Sequence, residues 1–79
     1  MKPNNPPKSA GTYIVMFRED VYDVDDWLYD HRARGACTSV FRNRWAVDAK
    51  LEDMEELRKA LLSDSRVIRV YDDKGTKVK

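Results

Sequence analysis

The sequence predicts a single α+β domain with the element order β-α-β-β-α-β. Four short runs, Thr12 to Phe17, Ala36 to Phe41, Trp45 to Leu51 and Arg66 to Tyr71, are rich in β-branched and aromatic residues and read as strands. Two intervening segments repeat apolar residues at helical spacing. With 79 residues, 42% hydrophobic and 37% charged, the chain supports one modest core and no second domain.

Residues 1–11 hold all three prolines and, after Met1, no aliphatic residue larger than Ala10, so nothing there offsets the entropy of ordering. They read as a flexible arm ahead of a domain over residues 12–71. Thr12 to Phe17 is an unbroken apolar run ending at Arg18-Glu19-Asp20, which predicts a strand covered on both faces. Between Asp23 and Arg34, Val24, Trp27, Leu28 and His31 fall at i, i+3, i+4 and i+7, one stripe of an amphipathic helix. Asp23 is its expected N-cap, with Asp25 and Asp26 favoured by the dipole in the first turn. Arg32 and Arg34 complement the other end, and Gly35 is the expected left-handed stop.

The strands Ala36 to Phe41 and Trp45 to Leu51 join through Arg42-Asn43-Arg44, where Asn43 suits the positive φ of a tight hairpin. Glu52 to Leu62 is the second helix, with acids at its start and Met54, Leu57 and Leu61 on one face. Arg66 to Tyr71 is the last strand, and residues 72–79 form a polar tail. This order is the split βαβ arrangement of ferredoxin-like domains, with both helices on one face of a four-stranded antiparallel sheet. The other face has no cover. Some of Tyr13, Val15, Phe17, Val40, Trp45, Val47 and Ile68 are expected there, making it a docking surface.

Fifteen Lys and Arg against fourteen Asp and Glu leave a formal charge of +1, so only local patches attract nucleic acid or anionic lipid. Mean hydropathy is −0.74, and no apolar run approaches the roughly 20 residues needed to span a bilayer. The opening residues lack the apolar run of a secretory signal, so a cytoplasmic location is expected if Met1 is the native start. The single cysteine, Cys37, has no partner for an internal disulfide.

Asp20, Asp23, Asp25, Asp26 and Asp30 offer oxygen ligands for a hard cation, but without the glycine and spacing of a calcium loop they read as helix caps and solvated carboxylates. His31 and Cys37 are a base and a nucleophile by type, with no motif around them. Neither CxxC, HExxH, GxSxG nor a phosphate-cradling glycine loop occurs, so the chain reads as a non-enzyme requiring no cofactor or metal. Arg32, Arg34, Arg42 and Arg44 with Phe41 and Trp45 are the best nucleic-acid candidate. The third strand, Trp45-Ala46-Val47-Asp48-Ala49, lacks the glycine and paired aromatics of RNA-recognition motifs, so nucleic acid is not the expected partner.

Tyr13-Ile14-Val15-Met16-Phe17, Gly35-Ala36, Phe41 to Leu51, an acidic-start helix with Leu57, and Ser65-Arg66-Val67-Ile68-Arg69-Val70-Tyr71-Asp72-Asp73 together resemble the propeptide-like inhibitors of subtilisin-type serine proteases. The likeness runs in order from Thr12 to Lys79. It implies that the uncovered sheet face packs on two surface helices of a protease, and that acids beyond the last strand, here Asp72 and Asp73, cap those helices. Tyr71 stands where the family commonly has an acid. The resemblance further implies that Thr76, Lys77, Val78 and Lys79 lie in the active-site cleft as a product-like P4 to P1 peptide. Lysine departs from the large apolar P1 group that subtilisins more often accept. The expected function is therefore inhibition of a subtilisin-like protease by a domain that is monomeric when free, either free-standing or as a propeptide acting as an intramolecular chaperone. The alternatives are a ferredoxin-like interaction module binding RNA or another protein through the same face, and a dimer that buries that face on its own copy.

Overall fold

The computed structural model of the chain describes residues 10–79. Its elements follow the order β1 (Ala10–Phe17), α1 (Val24–Asp30), β2 (Arg34–Ser39), β3 (Arg44–Lys50), α2 (Leu51–Ser63) and β4 (Val67–Asp72). The strands form one antiparallel sheet in the order β2-β3-β1-β4, the ferredoxin-like arrangement that the sequence predicts. The arm expected over residues 1–11 lies outside the described residues up to position 9, whereas Ala10 and Gly11 already belong to β1.

One face of β1 is buried and the other is not. Tyr13, Val15 and Phe17 point into the core with Val47 and Ala49 of β3 and Val67 and Val70 of β4. The helices complete it: Val24, Trp27 and Leu28 from α1, Leu57 and Leu61 from α2, and Val21 from the connection after β1. The expectation that β1 is covered on both faces is therefore corrected, as is the assignment of Tyr13, Val15, Phe17 and Val47 to the open face. A continuous apolar run carries no alternation to say which parity is buried. The structure supplies the reason: Phe17 meets Trp27 edge to face at 5.5 Å, so α1 covers the odd-numbered residues.

The first helix is shorter than its apolar stripe suggests. Asp23 stands at the N-cap, yet its carboxylate bonds no amide there. At the other end the chain turns at Arg32, with φ of 56°, not at Gly35. Arg32 N–H donates to the Tyr29 carbonyl and Ala33 N–H to that of Leu28, the paired bonds of a Schellman cap. Gly35 instead lies within β2, where a Cβ would fall 2.7 Å from Leu28 Cδ1. A side chain here would have to displace Leu28, so glycine suits the close approach of α1 to the sheet. Arg34 likewise begins β2 and does not complement the helix C-terminus, whose last turn contains no basic residue.

The β2–β3 turn depends on Asn43, which adopts the positive φ expected of it, 48°. Its Nδ2 donates to the carbonyls of Arg18 and Val21, each at 2.9 Å, and its Oδ1 accepts from Trp45 Nε1 at 2.8 Å. One side chain thus fastens the hairpin to the β1–α1 connection. Val40 at this turn and Ile68 at the β1–β4 register shift are exposed, and neither is paired with a residue of a neighbouring strand.

Candidate docking surface

Residues paired across neighbouring strands share a face, so the register sorts the outward side chains into rows, three of which span the middle of the sheet. The central row is Ala36, Ala46, Ile14 and Tyr71. One flanking row contains Arg44, Met16 and Arg69; the other contains Arg34, Asp48 and Thr12. Ile14, Met16, Ala46 and Tyr71 are each half-buried by their neighbours, while Ala36 and the three arginines are exposed. The result is an apolar strip across the strands with cations beside it. Trp45, which sequence reasoning offered as an open-face residue, packs instead against the core on the helix side.

The fourth edge of this surface is the tail. Residues 73–75 reverse the chain, with Gly75 at φ 84° and its N–H donating to the Asp72 carbonyl. The return runs antiparallel to β4: Asp72 N–H donates to the Thr76 carbonyl at 2.9 Å, and Val78 N–H to that of Val70 at 2.7 Å. Lys77 is bridged to Tyr71 and so extends the central row. Val78 packs against the core, and Lys79 Nζ donates to the carbonyls of Leu61 and Asp64 at 2.9 and 2.8 Å. The tail therefore does touch the core, contrary to its reading as a free polar segment. One apolar residue among lysines gives no periodicity from which this contact could be read.

Asp72 and Asp73 are placed differently from one another. Asp72 Oδ1 accepts the amides of Lys74 and Thr76, which ties it to its own turn. Asp73 is exposed.

The other sequence candidates are scattered. Arg42 and Phe41 lie at the β2–β3 turn, and Arg32 at the end of α1, away from the open face. His31 stacks on Trp27 at 4.1 Å, whereas Cys37 is exposed on the edge strand β2. Asp20 is held by a two-point contact with Arg18, whose hydrogen bonds lower its pKa. Among the described residues, no three His, Cys, Asp or Glu side chains converge as metal ligands. A cleft of about 180 Å³ opens between the end of α1 and α2, lined by Asp30, His31, Arg32, Asp53, Glu56 and Leu57. It lies in the helix layer, away from the uncovered sheet face. No described helix is long and apolar enough to cross a membrane.

No protein-family model, curated protein or solved structure matches this chain.

Proposed function

We propose that this domain binds a subtilisin-like serine protease through its open sheet face and inhibits it, with Thr76 to Lys79 entering the cleft as a product-like peptide. The observation that carries this reading is the apolar strip of Ala36, Ala46, Ile14 and Tyr71, which no element among the described residues covers. A face of this kind on a small domain marks a contact surface for another macromolecule. The residues from Tyr13 to Phe17 and from Ser65 to Asp73, which resemble the protease-inhibitor family, form the two adjacent strands at the centre and edge of that face. Lys79 and its neighbours fold back on β4, so entry into a cleft requires the return to peel away from Val70 and Asp72. Docking by the sheet and release of the tail are then two parts of one binding event.

The test is titration of the intact protein against a panel of subtilisin-like proteases, including one that prefers basic P1 residues, followed over time. Inhibition that Ile14→Asp weakens by about tenfold or more supports the docking face, because a charge is then buried at its centre. Lasting inhibition identifies a stable inhibitor, and inhibition that fades as the domain is cleaved identifies a propeptide-like one. Absence of inhibition across the panel overturns the proposal.

A further inference from the structure

The near-neutral total charge conceals a separation between the two layers. Exposed Asp25, Asp26 and Asp30 of α1 and Glu52, Glu55 and Glu56 of α2 make the helix layer acidic, outnumbering its exposed cations Arg32, Lys50, Arg58 and Lys59. The open sheet face has the opposite balance. Arg34, Arg44, Arg69 and Lys77 are exposed there, and none forms an ion pair with a described residue. Asp48 is the carboxylate within its rows, and it already accepts a 2.7 Å hydrogen bond from Thr12 Oγ1.

We infer that the partner surface accepted by this face is an acidic one: a protein ridge with an apolar crest flanked by Asp and Glu side chains. This rests on the docking reading and specifies its chemistry. The strip crosses four strands, about 14 Å at the usual strand spacing, which suits an elongated ridge rather than a single side chain. Arg44 and Arg69 along one side of the strip, Lys77 at its end and Arg34 at the far corner beside Asp48 then meet carboxylates that flank the crest. The acidic helix layer repels the same partner, so the field also selects which side of the domain docks. A nucleic-acid strand satisfies the charge but not the surface. Tyr71 is the aromatic residue in the rows, half-buried, while Tyr13, Phe17 and Trp45 turn toward the helices, leaving no platform on which successive bases stack.

The experiment uses the full chain, isotope-labelled, and two synthetic helical peptides with the same apolar stripe, one flanked by Glu and the other by Lys. The Glu peptide is expected to bind at least about tenfold more tightly, with shifts centred on the amides of Ile14, Ala36, Ala46 and Tyr71. Raising the salt concentration narrows that preference, and the double substitution Arg44→Glu, Arg69→Glu reverses it. Should that variant not fold, the salt titration of the unaltered protein decides alone. Equal binding of the two peptides, shifts confined to the helix layer, or tighter binding of a single-stranded oligonucleotide to the same face each overturn the inference. Preference for the Glu peptide without inhibition of any protease overturns the inhibitor reading and leaves the acidic partner standing. Inhibition without that preference does the reverse.

Discussion

Trp27 and Asp64, separated by 37 residues, are joined by a 2.7 Å hydrogen bond from the indole Nε1 to a carboxylate oxygen. The same carboxylate takes two bonds from the Arg66 guanidinium, so one acid ties α1 to the turn between α2 and β4. Arg66 is the main cause of a pKa held well below the usual carboxylate range; burial opposes it, and the Trp27 bond adds to it. Because the folded state resists the proton, the unfolded state takes it first, and stability falls as the pH falls. The contribution is complete above about pH 5 and declines below about pH 4 toward the depressed folded value. Asp64→Asn is expected to cost about 1–2 kcal/mol at pH 7, since the amide cannot replace both charged bonds. Urea unfolding followed by tryptophan fluorescence at pH 7, 5 and 3 measures it. The gap between the two proteins should narrow at pH 3; a gap independent of pH would show that the charge of Asp64 does not contribute.

Arg32 occupies a left-handed conformation that glycine adopts without strain. Its side chain is 78% exposed and reaches Asp53 only at 4.0 Å, an ion pair of little value at a surface. Arg32→Gly should therefore stabilise the fold by about 0.5–1 kcal/mol, despite removing a charge near the end of α1. A higher urea midpoint with unchanged slope is the expected result. A lower midpoint would mean that the arginine contributes through contacts that outweigh its backbone strain.

How far these features can be read from the sequence depends on whether they leave a periodic trace. The stripe of Val24, Trp27 and Leu28 and that of Leu57 and Leu61 do, and all five residues are buried. Element order and sheet topology follow from such traces together with the handedness of crossovers. The faces of β1 do not, because Tyr13 to Phe17 is apolar at every position and only contact with Trp27 selects a parity. The same limit hid the apolar strip, since Ile14, Ala46 and Tyr71 become neighbours through pairing registers that sequence alone does not determine. Gly35 stands out as a special glycine, but helix termination and close packing on Leu28 call for the same residue type, so its role is legible only in the fold. Val21 gave no signal, being one valine in a connecting segment.

Asn43 combines a backbone requirement with three side-chain hydrogen bonds, and substitution separates them. Asn43→Gly keeps the positive φ and loses the bonds to Arg18, Val21 and Trp45, for an expected loss of about 1–2 kcal/mol. Asn43→Ala loses the same bonds and adds left-handed strain of about 1 kcal/mol. The order of unfolding midpoints should be the natural protein, then Gly, then Ala. Equal midpoints for Gly and Ala would remove the backbone component.

The folded-back tail turns the proposed cleft interaction into a competition within the chain. Gly75 lies outside the four cleft positions, and its φ of 84° is strained for any residue with a Cβ, although nothing lies within 4 Å to clash. Gly75→Ala should loosen the return by about 1 kcal/mol, which is read directly as faster hydrogen exchange at the amides of Val70, Asp72 and Val78. If Thr76 to Lys79 enter the protease, the looser tail is more often available, and the inhibition constant should fall by up to about fivefold. Deletion of the same four residues should act oppositely, raising the inhibition constant and removing Val78 from the margin of the core at a cost of about 1 kcal/mol in stability. Lys79→Tyr releases the ammonium from the carbonyls of Leu61 and Asp64 while supplying the large P1 group that broad-specificity subtilisins accept, so it should improve inhibition of such an enzyme more than Gly75→Ala does. Inhibition that ignores all three changes, while hydrogen exchange reports a loosened return, would confine the tail to its place on β4 and leave docking to the sheet face alone.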